Sequence, residues 1–197
     1  MKKLIITLII LTLVGCSQPQ IIEPVPIEQT ENLQVLNKIE IIEPSIPIYD
    51  IPMSKELQEY TYELCEYYCL PYELVLGVIH AESRFIETAN SGSSKGIMQI
   101  SRGTGNWVSE QVGIRDFDPY DPKQNIAVGV WYLDYLRSYW WEQGCLDEDV
   151  FSLMLISYNR GIQGCKNYIE KYGLENDYVT KVYEYKIKLE QQNIYSQ

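Results

Sequence analysis

One histidine in 197 residues, and 16 Lys and Arg against 27 Asp and Glu, remove several classes of chemistry at once. A lone imidazole cannot build a multi-histidine metal site or a two-histidine acid/base pair. A net charge of −11 leaves no surplus of cations to neutralise phosphates, which excludes nucleic acid as a partner and a polybasic membrane patch with it. The N-terminal apolar run, Leu4 to Val14, is eleven residues long and too short to span a bilayer. What remains is ordinary for a folded domain: 46% hydrophobic and 22% charged residues.

The first residues carry an address. Met1-Lys2-Lys3 followed by the apolar run has the shape of a secretory signal. Leu13-Val14-Gly15-Cys16 resembles a bacterial lipobox. The resemblance implies that residues 1–15 are removed and that Cys16 becomes a lipidated N-terminus. Acyl chains would then hold the protein in the cell envelope, on the extracytoplasmic side of a membrane. The competing reading is an ordinary signal peptide in which Cys16 happens to follow a glycine. Residues 16–54 read as a linker. Six of the nine prolines fall there, acidic residues outnumber a single Lys38, and Ile-Glu-Pro and Ile-Pro units favour extended backbone. A semi-rigid spacer fits this pattern, and a strand packed on the domain through its Ile residues is the alternative.

Residues 55–197 read as one all-α domain. Ser54 is placed to N-cap a helix carrying Leu57, Tyr60, Leu64 and Tyr67. Pro71 opens a second helix, Asp121-Pro122 a third with Ile126, Val130, Leu133 and Trp140 on one face, and Asp147-Glu148-Asp149 a fourth through Leu155. Gly161 and Gly173 are stop signals, and residues 177–192 form a last amphipathic helix. Loops are expected at 87–101 and 112–121.

One residue breaks the pattern. The second helix carries an apolar stripe through Val75, Val78 and Ile79 towards Phe85 and Ile86, and Glu82 occupies it. A carboxyl among apolar side chains is costly when charged, so its pKa rises, as a general acid requires. The bland alternative is a carboxylate at the rim of the face, solvated or bridged to Arg84 or Lys95.

The residues after Glu82 favour the first reading. His80-Ala81-Glu82-Ser83-Arg84-Phe85 precedes Ser91-Gly92-Ser93-Ser94-Lys95-Gly96-Ile97-Met98-Gln99-Ile100. Asp121-Pro122-x-x-Asn125-Ile126-x-x-Gly129-x-x-Tyr132-Leu133 and Ser157-Tyr158-Asn159-x-Gly161 follow in order. Together these resemble the lysozyme-like lytic transglycosylase family, with Ile97, Ser157 and Ser101 where Leu, Ala and Pro are usual. The resemblance implies a lysozyme-like helical fold, peptidoglycan glycan strands as partner, no cofactor and no metal. It places the catalytic acid at Glu82 and substrate-binding roles at Ser83, Ser91, Met98, Gln99, Tyr158 and Asn159. Ser83 would orient the carboxyl, Met98 and Gln99 would line the saccharide groove, and Tyr158 would aim its hydroxyl at Glu82 or the sugar. His80, two residues from Glu82, falls on another side of the helix and reads as structural.

Three other readings stay open. A hydrolytic lysozyme needs a second acid, for which Asp116 and Asp118 are the candidates. A catalytically idle lipoprotein would use the groove only to bind peptidoglycan. Cys65, Cys69, Cys145 and Cys165 offer a third, a zinc site, although outside the cytoplasm an even set of cysteines more often forms disulfides. Two bridges from the first helix to the 145 and 165 regions are expected. Trp107 and Tyr120 are candidates for stacking on sugars beside the groove. Wall turnover, passage of a secretion or conjugation apparatus, and phage-derived lysis fit the same motifs equally.

Overall fold

A computed structural model describes residues 46–145 and 147–194. Six helices and one short hairpin make up the described residues, in the order α1 (Lys55–Tyr67), α2 (Tyr72–Ser83), β1 (Ser94–Lys95), β2 (Ile100–Ser101), α3 (Arg102–Gln111), α4 (Pro122–Glu142), α5 (Asp147–Tyr172) and α6 (Asp177–Ile194). The stretch read as a signal segment, Cys16 and most of the stretch read as a linker lie outside the described residues.

The helix starts are the ones local chemistry dictates. The Ser54 hydroxyl accepts the Leu57 N–H at 3.2 Å, and an Asp121 carboxylate oxygen accepts the Gln124 N–H at 3.1 Å, with Pro122 in the first turn. Helix α5 runs past Leu155. It stays helical on both sides of Gly161, where the backbone leaves helical space at φ 72 and ψ 161. Gly161 therefore ends the first helical stretch, as expected, and a second runs from it to Tyr172.

Helix α2 is the central element. Leu74, Val75, Leu76, Val78 and Ile79 are all buried, and α2 packs most extensively against α6. A Cβ at Gly77 would meet the Val182 carbonyl oxygen at 2.6 Å, so the absent side chain lets the two helices approach. The loop expected at 87–101 contains the two-residue hairpin, in which Ser94 faces Ser101 and Lys95 faces Ile100.

The domain begins earlier than residue 55. Tyr49 and Met53, read as linker, are buried in the core. Buried Gln58 clasps this arm by accepting the Tyr49 N–H at 2.8 Å and donating to the carbonyls of Tyr49 and Met53. The Tyr49 hydroxyl also donates to the Glu73 carboxylate. The arm is held by main-chain groups, which composition does not reveal.

The four cysteines of the domain are free thiols, which corrects the expected bridges from the first helix. Cys65 points into the core from α1. Cys69 is exposed in a left-handed turn after it, with its Sγ near the Glu66 carbonyl at 3.7 Å. The Cys165 Sγ, after Gly161, meets the carbonyl of Leu153, before it, at 3.6 Å.

Candidate active site

Glu82 lies in the last turn of α2. The helix stops one residue later because Arg84 (φ 54) and Phe85 (φ 68) turn through left-handed backbone, with the Arg84 N–H donating to the His80 carbonyl. The apolar stripe is therefore helical only as far as Glu82. Phe85 remains buried, while Ile86, expected to continue the stripe, is 55% exposed. Two successive non-glycine residues of positive φ at this point are unusual, and such strain concentrates at functional sites.

Burial pushes the Glu82 carboxyl up from its ordinary value, and a hydrogen bond from the Tyr178 hydroxyl to Oε1, 2.7 Å, opposes that rise. Neither Arg84 nor Lys95 forms an ion pair with it among the described residues. Burial also raises the Tyr178 and Tyr158 hydroxyls well above the usual phenol value, and the nearby Glu82 charge raises them further. Both hydroxyls remain protonated donors at neutral pH.

Tyr178 is the residue that sequence reasoning missed. It precedes Val179 at the start of α6 and shares a face with Val182, the residue that Gly77 admits against α2. A tyrosine on a face otherwise packed into a helix partner was the available signal. The Tyr158 hydroxyl, expected to face Glu82 or the sugar, donates to the Met98 carbonyl at 2.9 Å.

The other expected contacts divide. Gln99, Tyr158 and Asn159 converge on a cavity of about 270 Å³ that Ser94, Thr104 and Tyr132 also line. Gln99 sits at φ 50, and its amide nitrogen is committed to the carbonyls of Ala89 and Gly96 at 3.0 and 2.9 Å. It shapes the hairpin as well as the cavity wall. Met98 is fully buried against Gly129 and acts through its main chain, not as a groove side chain. The buried Ser83 hydroxyl donates to the Ile79 carbonyl at 3.2 Å and does not orient Glu82. Ser91 is exposed and pairs with Ser94, which takes the place at the cavity.

Asn125 explains how the cavity floor is held. Its side-chain oxygen accepts the Met98 N–H at 2.8 Å, and its amide donates to the carbonyls of Lys95 (3.1 Å) and Pro119 (2.9 Å). One fully buried amide thus joins α4 to the Met98-Gln99 segment and to the preceding loop. Gly96, at φ 80, lies so close that a Cβ would strike both the Pro119 carbonyl and the Asn125 amide.

No Asp or Glu lines this cavity among the described residues. Asp118 is exposed and accepts the Tyr120 N–H, while Asp116 borders a separate recess beside Arg115 and Phe117. Trp107, 39% exposed, meets Trp131 and Tyr135 edge-to-face. Tyr120 accepts a hydrogen bond from Asn90 at 3.1 Å. Among the described residues no three His, Cys, Asp or Glu side chains gather as a metal site. His80 stacks on Tyr185 at 3.8 Å, away from the Glu82–Tyr178 pair.

No curated protein sequence matches the chain. Among solved structures, an inactive mutant of the lytic transglycosylase Slt from Pseudomonas aeruginosa superposes with a TM-score of 0.59 at 20% identity, over 72% of this chain and 25% of that one. The chain thus spans about a quarter of that protein's length and shares its fold over the matched region. A family model described as the Transglycosylase SLT domain matches residues 60–180, which contain Glu82, the cavity and Tyr178. With more than half of its length in that match, the chain belongs to the transglycosylase SLT domain family.

Proposed function

We propose that the protein is a peptidoglycan lytic transglycosylase that cleaves the β-1,4 bond between N-acetylmuramic acid and N-acetylglucosamine without water. The observation that carries this reading is a single carboxyl, Glu82, held partly desolvated with one tyrosine donor. Glu82 starts protonated and gives its proton to the glycosidic oxygen. The anomeric carbon passes through an oxocarbenium-like transition state, which the neighbouring acetamido group stabilises without an enzyme nucleophile. The carboxylate so formed, which Tyr178 stabilises, then removes the proton of the muramyl C6 hydroxyl. That oxygen closes on the anomeric carbon to give a 1,6-anhydro ring, and Glu82 is protonated again.

One group thus serves as acid and then as base, for which a pKa near the working pH is best. A hydrolytic lysozyme would need a second acid to direct water, and Asp116 and Asp118 lie on other surfaces. Gln99 and Asn159 are the polar groups at the cavity suited to sugar hydroxyl and acetamido groups. Lipidation at Cys16 would place this chemistry beside the wall on the extracytoplasmic face of the membrane. An acidic enzyme is not steered to an anionic polymer by its net charge, so a tether would supply proximity.

The test is a digest of purified peptidoglycan by the full chain, beside Glu82→Gln, read by mass spectrometry. Products one water lighter than hydrolytic muropeptides are expected from the wild type. A loss of about 10²- to 10⁴-fold is expected from the variant, the range for removing a general acid/base. Products of hydrolytic mass would overturn the reading. For the tether, Cys16→Ala is expected to abolish incorporation of a labelled fatty acid, and undiminished labelling would exclude Cys16.

A further inference from the structure

The Tyr178 hydroxyl reaches Glu82 from the first turn of α6. That is the part of a helix most prone to fray, because its N–H groups have no partner within the helix. Here they are capped. The Asn176 side-chain oxygen accepts the N–H of Tyr178 itself at 2.9 Å and that of Val179 at 3.3 Å. The Asn176 carbonyl in turn accepts the Thr180 N–H at 3.0 Å and the Thr180 hydroxyl at 3.2 Å. Asn176 is only 8% exposed, although Glu175 and Asp177 on either side are in solvent. An amide withdrawn from water in this way is unfavourable without such partners.

Both flanks of the cap are fixed as well. Upstream, the Tyr168 hydroxyl, from the stretch of α5 after Gly161, donates to the Glu175 carbonyl at 2.7 Å. Downstream, Val179 and Val182 are buried, and Val182 lies where Gly77 admits it against α2, the helix that carries Glu82. The main chain of Tyr178 is thus held between Asn176 on one side and the α2 contact on the other. A catalytic contact has to be kept to within about 0.5 Å of its working geometry, which a frayed first turn does not provide. Two titratable groups act on Glu82 from the helices around it, Tyr178 of α6 and Tyr158 of α5. The Tyr158 hydroxyl is committed to the Met98 carbonyl, so the carboxyl depends on how Tyr178 is aimed.

We propose that Asn176 is a positioning residue for the reaction: by capping α6 it holds the Tyr178 hydroxyl on the Glu82 carboxyl. The proposal rests on the transglycosylase reading for the role of Glu82 and on the cap for its geometry. Asn176 does not line the cavity and acts through the main chain of Tyr178. Without its side-chain oxygen, the N–H groups of Tyr178 and Val179 turn to water, the first turn opens, and the hydroxyl leaves the carboxyl.

The test titrates the Glu82 carboxyl of the full chain by carbon-detected NMR without substrate, so it does not depend on turnover. In Asn176→Ala the Glu82 pKa is expected to rise, in the same direction as in Tyr178→Phe and by no more. Added to Tyr178→Phe, Asn176→Ala should shift it no further, because the hydroxyl through which it acts is already gone. Asn176→Ser keeps a capping oxygen without adding a charge and should restore most of the wild-type value. Ser54→Ala removes the corresponding cap from α1 and should leave the titration in place. On peptidoglycan, Asn176→Ala is expected to lose about three- to tenfold in rate, the scale of a lost cap. An unchanged or lowered Glu82 pKa in Asn176→Ala, a further shift on top of Tyr178→Phe, or an equal shift in Ser54→Ala would overturn the proposal. Should Asn176→Ala not fold, Asn176→Gly, which a helix start tolerates better, carries the same comparison. The expected titrations beside uncleaved peptidoglycan would sink the transglycosylase reading while supporting the hold of Asn176 on Tyr178.

Discussion

Two forces act on the Glu82 carboxyl in opposite directions. Burial disfavours its charged form, and the Tyr178 hydrogen bond favours it. Removing the hydroxyl with Tyr178→Phe leaves burial unopposed, so the Glu82 pKa rises. The alkaline limb of the activity profile, where Glu82 must keep a proton to serve as acid, then moves to higher pH. A pH–rate series on peptidoglycan is therefore expected to show that limb displaced upward in Tyr178→Phe, with a lower maximum. A limb displaced downward, or one that stays in place, would show that the hydroxyl does not stabilise the carboxylate. The stripe of apolar residues made Glu82 conspicuous in the sequence. Tyr178 was marked only by its place on a packed helix face, because its role depends on a contact across 96 positions of chain.

At the scale of elements, the cavity depends on a hairpin too short to stand alone, pinned from behind by one amide of α4. Asn125→Ala would strand the buried Met98 N–H and the carbonyls of Lys95 and Pro119. A cost of about 1–3 kcal/mol follows from leaving a buried donor unpaired, visible as a lower midpoint in urea unfolding. Catalysis should fall as well, because Met98 carries the carbonyl that anchors Tyr158. Full stability in that variant would mean the hairpin holds itself. The helix starts at Ser54 and Asp121-Pro122 were legible because capping is a matter of three or four neighbouring residues. The stop at Ser83 was not. No glycine or proline announces it, and Arg84 and Phe85 take left-handed backbone under the constraint of the surrounding fold. The same limit applies to Ser83 and Met98, whose spacing fits the groove but whose atoms face a helix carbonyl and the core.

For the whole molecule, the arm before α1 is part of the fold. A chain beginning at Ser54 lacks Tyr49 and Met53 from the core and leaves the buried Gln58 amide without its partners. Burying one such side chain contributes about 1.5–3 kcal/mol, so loss of both is expected to cost at least about 3 kcal/mol. Thermal unfolding of chains beginning at Ile46 and at Ser54 measures it directly, and equal midpoints would return the arm to the linker. The sequence alone determined the all-α class, most helix starts, the family resemblance and the identity of the conspicuous carboxyl. Each depends on periodicity or on motifs whose parts lie close in the chain. Tertiary structure decided that Tyr178 meets Glu82, that Asn125 holds the Met98-Gln99 segment, that the four cysteines of the domain stay unbridged and that Arg84, Lys181 and Lys188 share a recess. Those are pairings between distant segments, set by how α2, α4 and α6 pack, and no local pattern of residue types encodes them.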